Sequence, residues 1–150
     1  VVNRHGELIE RQANEFDVAY RSVSVKQDEW FVACYLNVPA GDNTESREKI
    51  RQLLAKRAQT QPTNVPSGGS VFKNPLNDHA ARLIETAGLK GQQIGGAQVS
   101  EKHANFILNT GQATASDIER LIAYVKQQVE EKHGVELETE VRIIGEALSR

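Results

Sequence analysis

A stretch without helical or strand periodicity, residues 60–69, most limits what this chain can fold into. It contains two prolines and two glycines, which interrupt regular secondary structure: Pro62, Pro66, Gly68 and Gly69. Because 39% of the 150 residues are hydrophobic, the chain can bury one core of ordinary size or two small cores that share an interface. The sequence therefore predicts two lobes that meet near residue 60.

The part before this boundary contains three short patterns. Turn residues from Asn3 to Gly6 lie between apolar stretches and predict a hairpin, and the apolar run from Trp30 to Val38 predicts a strand. Residues Glu45 to Arg57 predict an exposed amphipathic helix, because their large apolar side chains recur at helical spacing. These side chains are Ile50, Leu53 and Leu54.

The part after the boundary predicts helices and strands in alternation. Asp78 can cap a helix that ends at Gly88, where glycine allows a left-handed C-terminal cap. Phe106 to Leu108 is a strand candidate, and Val135 to Ile144 alternates loosely between apolar and charged residues, as a closing strand would.

The surest helix begins near Ser116, which has capping-box spacing to Glu119, and ends near Gly134. Its apolar residues form one stripe: Ile118, Leu121, Ile122, Val125 and Val129. The order of elements predicts an α+β or a mixed α/β fold. Of the two we expect α+β, with a mixed sheet and helices in the second lobe.

Charge and composition exclude several classes of protein. The formal charge of -2 offers no basic field for nucleic acid. Cys34 is the only cysteine, which excludes an internal disulfide and a cysteine-based zinc site and fits a reducing cytoplasm. The longest apolar run, Phe31 to Leu36, is far shorter than the ~20 residues that span a bilayer, and no leader opens the chain. We expect neither export nor membrane insertion.

Two glycine pairs precede residues that could bind a ligand. Gly68 and Gly69 lead to Lys73 and Asn74, a combination that suits a diphosphate but equally suits a glycine turn that enters a strand. The spacing is not that of a Walker loop. The pair at 95–96 precedes His103 and Asn105, which come just before a strand, although a lone histidine is more often structural.

Arg21 and Glu140, each taken alone, are typical of solvated charges. Glu140 alternates with Val141 and Ile143, so its side chain points to the opposite face of the predicted closing strand. The spacing leaves open whether that face meets solvent or a cleft.

Taken together, the segments resemble the second half of the UDP-N-acetylenolpyruvoylglucosamine reductase family, over nearly the whole chain. They occur in the family's order: Tyr20-Arg21-Ser22, Arg57 to Pro62, Gly69 to Pro75, Ala87 to Gly91, Ile94 to Ala97, His103 to Phe106 and Leu137 to Gly145. The most specific are Ser70 to Pro75 and Glu140 to Gly145.

The resemblance implies a cytoplasmic flavoenzyme of peptidoglycan precursor synthesis. NADPH reduces bound FAD, and UDP-N-acetylglucosamine enolpyruvate is then reduced to UDP-N-acetylmuramate. It assigns residues 1–60 to the end of an FAD-binding domain and residues 61–138 to a substrate-binding domain. Residues 139–150 become a closing strand that carries the catalytic glutamate.

The family's catalytic residues carry over onto Arg21, Ser70 and Glu140. The resemblance implies that Arg21 holds the carboxylate of the developing enolate, which suits a guanidinium fork. Ser70 would protonate the enolate on carbon, and Glu140 would donate a hydrogen bond to it.

Other residues are predicted to bind ligands. Lys73 and Asn74 are candidate contacts for the sugar nucleotide, His103 and Asn105 are expected to line the same pocket, and Arg142 is a candidate contact for flavin phosphate. No metal is implied. The short connection between Arg21 and Ser70 resembles the compact branch of the family, without an added loop over the substrate.

The family's glycine-rich segment for the flavin diphosphate belongs upstream of Arg21. We therefore expect the isolated chain to bind FAD weakly and to lack turnover. An alternative is a catalytically silent module that binds a UDP-sugar. A stand-alone interaction domain would not explain why Arg21, Ser70 and Glu140 all lie in matching segments. The sequence does not fix the oligomeric state.

Overall fold

Helices and antiparallel sheets alternate along the chain in the computed structural model, which describes residues 1–145. This confirms the predicted α+β class. All strand pairs among the described residues are antiparallel, so the predicted mixed sheet is wrong. Two compact units divide between Asn43 and Thr44. The assignment of residues 1–60, 61–138 and 139–150 to functional domains stays a prediction.

The first unit contains two short antiparallel pairs. One joins β1 (Val2–Asn3) to β4 (Glu29–Trp30), and the other joins β2 (Val18–Ala19) to β3 (Ser22–Val23). A 3-10 helix at Ala13–Glu15 lies between β1 and β2 in sequence. The predicted hairpin at Asn3 to Gly6 is confirmed. The N–H of Gly6 donates to the carbonyl of Asn3 at 3.0 Å, and Val2 pairs with Leu8 across the turn.

The strand predicted from Trp30 to Val38 is wrong except at its first residue. Within the described chain, residues 31–38 pair with no strand, and Tyr35 is 93% exposed. An apolar run alone does not make a strand, because a strand also requires a neighbour for its N–H and C=O groups.

The helix predicted at Glu45 to Arg57 is confirmed as α1, Asn43–Thr60. It buries none of its residues, and its three large apolar side chains are more than half exposed: Ile50, Leu53 and Leu54. Its C-terminal end is tied to the rest of the second unit by Lys102, whose Nζ donates to the carbonyl of Ala58 at 2.9 Å.

A four-stranded antiparallel sheet supports the second unit. Its order is β5 (Ser67–Ser70), β8 (Phe106–Asn109), β7 (Ala97–Val99) and β6 (Gln93–Ile94), which confirms the strand predicted at Phe106. The register between β5 and β8 shifts between Ser67 and Ser70, and Gly69 within this bulge has a φ of +81°. Such a left-handed residue favours glycine, so Gly69 permits the bend that leads to Ser70.

The second helix, α2, spans Ala80–Thr86, and its N-terminus differs from the prediction. His79 occupies the N-cap position without a side-chain cap, while Asp78 accepts from the N–H of His79 and forms an ion pair with Arg82. Asp78 is therefore not the predicted cap. The C-terminus is confirmed: Gly88 has a φ of +80° and donates to Glu85, as in a Schellman motif.

The third helix, α3, spans Ala115–His133 and carries the predicted apolar stripe. Its buried residues are Leu121, Ile122, Val125 and Val129. The capping box joins Thr114 to Asp117, so the predicted box of Ser116 and Glu119 is wrong by two residues. Gly134 closes the helix with a φ of +66°, as predicted.

The closing segment forms one isolated bridge, Thr139 to Phe72, rather than the predicted strand from Val135 to Ile144. It still runs antiparallel to residues 71–73, because the N–H of Lys73 donates to Glu138 at 2.9 Å. Leu137 is fully buried in a core shared by the sheet, α2 and α3. Residues 146–150 of the predicted strand domain lie outside the described residues.

Candidate active site

Ser70 ends strand β5 and is half-buried opposite Phe106 of β8. It lines a cleft of about 480 Å³ beside the C-terminal end of α1. The cleft's polar lining includes Lys56, Arg57 and Gln61, and the Nε of Arg57 donates to Gln61 at 3.2 Å. A hydroxyl and two cationic side chains therefore face one cleft.

The positive charge of Lys56 and Arg57 makes this cleft suited to an anion. A second cleft of about 790 Å³ shares Arg57, Gln61 and Gly69 with the first, so the surface continues along the segment at 61–67. Sequence reasoning did not single out Lys56 or Arg57 as site residues. Their signal was a pair of adjacent cations near the C-terminal end of a helix, only Arg57 being in its last turn, that is followed by the segment at 60–69 with its prolines and glycines.

Glu140 and Ser70 are linked through Val71. The carbonyl of Val71 accepts from the N–H of Glu140 at 2.8 Å, and Ser70 directly precedes Val71. Both Ser70 and Glu140 are half-buried. The fold therefore brings together two predicted catalytic residues that are far apart in sequence.

Lys73 and Asn74 each have a partner within the chain. Lys73 forms an ion pair with Glu138 and is 35% exposed at its side chain. The Oδ1 of Asn74 accepts from the N–H of Ala80 at 3.1 Å, which satisfies a donor at the start of α2. Asn74 therefore supplies the cap that Asp78 was predicted to supply. The substrate contacts of Lys73 and Asn74 stay predictions.

Asn105 is buried beneath this segment, with only 4% of the residue exposed. Its side-chain amide bonds to both main-chain polar groups of Phe72, at 2.9 and 2.8 Å. The structure thus places Asn105 against the backbone, and its predicted position in the substrate pocket stays a prediction.

His103 is half-buried and meets the ring of Phe106 edge-on, with the ring centroids 4.9 Å apart. Its Nδ1 accepts from the N–H of Asn105 at 3.3 Å. Burial lowers the pKa of His103 below its ordinary value, and the nearby charge of Lys90 lowers it further. The imidazole is therefore mainly neutral at physiological pH.

Arg21 lies in the turn between β2 and β3, in the first unit. Its φ of +55° is left-handed, which is uncommon for a residue other than glycine and is often found at functional sites. Its guanidinium carbon is 5.8 Å from the centre of the Tyr20 ring. Ser70 and Glu140 belong to the second unit, so the convergence of all three residues stays a prediction.

Arg142 is exposed on a mainly apolar cleft of about 530 Å³. Val71, Ile107 and Ile122 contribute to the lining. This cleft lies on the second unit and provides one guanidinium next to apolar side chains.

Comparison with known proteins decides the family. Residues 61–144 match the family described as UDP-N-acetylenolpyruvoylglucosamine reductase, C-terminal domain. The chain belongs to this reductase family. The resemblance predicted from the motifs is therefore confirmed.

Relatives of the same name cover nearly all of the chain. The reductase of Methylococcus capsulatus is 59% identical over 97% of this chain and 48% of the relative, and that of Alkalilimnicola ehrlichii is 55% identical over 99% and 50%. The solved structure of the reductase from Thermus caldophilus covers 65% of this chain and 34% of its own, with 39% identity and a TM-score of 0.52. The chain spans about half the length of the curated relatives it matches.

No helix among residues 1–145 has the length and apolarity to cross a membrane. In the same range, no three His, Cys, Asp or Glu side chains group as metal ligands.

Proposed function

We propose that this chain is the C-terminal part of a reductase that converts UDP-N-acetylglucosamine enolpyruvate into UDP-N-acetylmuramate, with FAD as cofactor and NADPH as reductant. The observation that carries the proposal is the link from Ser70 through Val71 to Glu140, at 2.8 Å between the Glu140 N–H and the Val71 carbonyl. The family match over residues 61–144 supports the same function. The proposed compartment is the cytoplasm.

The cleft beside Ser70 would bind the acidic part of the substrate. A UDP-sugar carries a diphosphate, and the enolpyruvyl group adds a carboxylate, so cationic side chains at the mouth favour binding. Lys56 and Arg57 supply that charge in the second unit. Lys73 and Asn74 are proposed to contact the sugar nucleotide from the neighbouring segment.

The proposed chemistry assigns one task to each catalytic residue. When bound and reduced by NADPH, FAD would supply the hydride for the terminal vinyl carbon of the substrate. The electron pair of the double bond would then move to the adjacent carbon and into its carboxylate, where the guanidinium of Arg21 would stabilise the charge. Glu140 provides a hydrogen bond to the enolate. Ser70 gives its hydroxyl proton to the carbon, and solvent returns a proton to Ser70.

The fit of FAD to the described residues rests on Arg142. A guanidinium is well suited to a diphosphate, and Arg142 is exposed at the edge of the apolar cleft of about 530 Å³. We propose Arg142 as a phosphate contact and expect the main FAD site to lie in sequence upstream of Arg21.

A chimaera tests the proposal. This chain is joined behind the part of the Methylococcus capsulatus relative that it does not match, and the purified protein is assayed for flavin absorbance and substrate-dependent NADPH oxidation. Both are expected. A colourless protein that binds the UDP-sugar would instead support the silent binding module.

The variant Ser70→Ala then tests the proton donor. We expect NADPH to reduce the flavin at the normal rate, while reoxidation by the substrate slows about 10²-fold to 10⁴-fold. Ser116→Ala, at an exposed serine in the first turn of α3, is the control. Equal loss of both half-reactions in Ser70→Ala would argue against this role.

A further inference from the structure

Asn105 is a buried polar residue whose side-chain amide and main-chain carbonyl all bond to the main chain of one segment, Val71 and Phe72. Its Oδ1 accepts from the N–H of Phe72 at 2.9 Å, and its Nδ2 donates to the carbonyl of Phe72 at 2.8 Å. Its own carbonyl accepts from the N–H of Val71 at 2.9 Å. Buried amides need such partners, and here one residue holds the backbone of two consecutive residues, Val71 and Phe72.

The backbone of Val71 and Phe72 also supports the candidate catalytic residues. Ser70 directly precedes Val71, and the carbonyl of Val71 accepts from the N–H of Glu140 at 2.8 Å. A shift of Val71 and Phe72 would therefore move Ser70 and Glu140 together. Reaction rates are sensitive to such shifts, because a displacement of about 1 Å can cost about 100-fold.

We infer that Asn105 is a positioning residue for the proposed reaction. Through the backbone of Val71 and Phe72, it fixes the positions of Ser70 and Glu140. The inference rests on the proposed function. Asn105 is 4% exposed and its side chain bonds to backbone, so this role requires no contact between Asn105 and the substrate.

The two hydrogen bonds between the side chain of Asn105 and the main chain of Phe72 require an amide at position 105. Aspartate has nearly the same shape, and its carboxylate can still accept from the Phe72 N–H. It cannot donate to the Phe72 carbonyl, so two oxygen atoms would face each other. A protonated aspartic acid would restore the donor, and the effect of Asn105→Asp should therefore depend on pH.

Asn109 offers a matched control at the end of β8, the strand that follows Asn105. Its Oδ1 accepts from the N–H groups of Gly111 and Ala113, at 2.8 and 3.0 Å. Because a carboxylate accepts both bonds equally well, Asn109→Asp should have little effect at any pH. The two variants make the same chemical change, and only one of them removes a needed donor.

The experiment compares Asn105→Asp and Asn109→Asp in the chimaera. At pH 8, we expect Asn105→Asp to lower kcat for substrate reduction about 10-fold to 100-fold, with flavin reduction and the KM for NADPH unchanged. The loss should shrink as the pH falls and the aspartate becomes protonated. A normal kcat of Asn105→Asp at pH 8 would overturn the inference. So would a folded Asn105→Asp protein in which the loss of kcat is the same at every pH.

Two further measurements keep the test decisive. If Asn105→Asp fails to fold, Asn105→Gln provides the test. It moves the same amide outward by one methylene and should lower kcat without changing flavin reduction, and an unchanged kcat would contradict the inference.

If the unmodified chimaera has no turnover, the proposed function fails, and hydrogen exchange of the 150-residue chain tests the positioning alone. The amides of Phe72 and Glu140 should then lose protection at neutral pH in Asn105→Asp but not in Asn109→Asp, and equal protection would contradict the inference.

Discussion

The side-chain oxygen of Asn74 accepts a hydrogen bond from the N–H of Ala80, at 3.1 Å, and so caps α2 from outside the helix. Asn74 is also a proposed substrate contact. One residue thus links the candidate site to the helix that packs Leu83 and Ile84 into the core.

Substitutions of Asn74 should separate these two roles. Asn74→Ala loses the cap and should lower the free energy of unfolding by about 1 kcal/mol, since N-terminal caps have this value. Asn74→Asp keeps the accepting oxygen but lacks the amide donors, so stability should persist while affinity for UDP-N-acetylmuramate falls. Urea unfolding and calorimetric titration measure the two effects. If Asn74→Asp binds UDP-N-acetylmuramate with unchanged affinity, the amide N–H groups of Asn74 do not contact the ligand.

The start of α3 gives a second stability prediction. Thr114→Ala removes the side-chain acceptor of the Asp117 N–H, 3.1 Å away, and should cost about 1 kcal/mol in the free energy of unfolding. Ser116→Ala, inside the first turn, should change stability by no more than about 0.5 kcal/mol. Thermal or urea unfolding of both variants provides the comparison. A larger loss of unfolding free energy in Ser116→Ala than in Thr114→Ala would instead support Ser116 as the cap, as predicted from the sequence.

Local patterns predicted the elements better than their caps. The stripe of α3 and the glycine that ends it were predicted because helical spacing and a left-handed φ are local requirements. Thr114 and Ser116 are both good capping residues, and only the backbone geometry decides between them. The extended φ and ψ of Thr114, -81° and 161°, make it the cap.

Distant contacts account for what the sequence could not predict. The family resemblance supplied Ser70 and Glu140, but no local pattern indicates that Asn105 bonds to Phe72, which is 33 residues away. The failed strand after Trp30 has the same origin, since strand formation depends on a partner elsewhere in a chain. Buried hydrogen bonds at long separation are therefore the part of the site that required coordinates.

The ion pair of Asp78 and Arg82 gives a prediction in acid. The hydrogen bond from Arg82, with a further one from the His79 N–H, lowers the pKa of Asp78 to about 2. Because the folded-state pKa is depressed, this pair stabilises the fold above the ordinary aspartate pKa. That contribution should be lost as the pH falls from about 4 to about 2.

Arg82→Gln should raise the pKa of Asp78 toward its ordinary value and remove most of this pH dependence. Titration of the Asp78 carboxyl by NMR measures the change. Arg51→Gln, which disrupts the pair with Glu48 on α1, serves as the control and should leave the Asp78 titration unchanged. An equally low pKa of Asp78 in Arg82→Gln would assign the shift to the His79 N–H instead.

Arg21→Lys tests whether the guanidinium fork, rather than charge alone, is required. Lysine keeps the positive charge and can occupy the same turn, but it cannot hold a carboxylate through two parallel hydrogen bonds. In the chimaera we expect flavin reduction by NADPH to persist while substrate reduction slows about 10²-fold to 10³-fold, as when one donor to a developing oxyanion is lost. Stopped-flow absorbance separates the two steps. Arg4→Lys, a change at another exposed arginine in the first unit, is the control and should leave both steps unchanged. A normal rate of substrate reduction in Arg21→Lys would exclude a specific role for the guanidinium fork of Arg21.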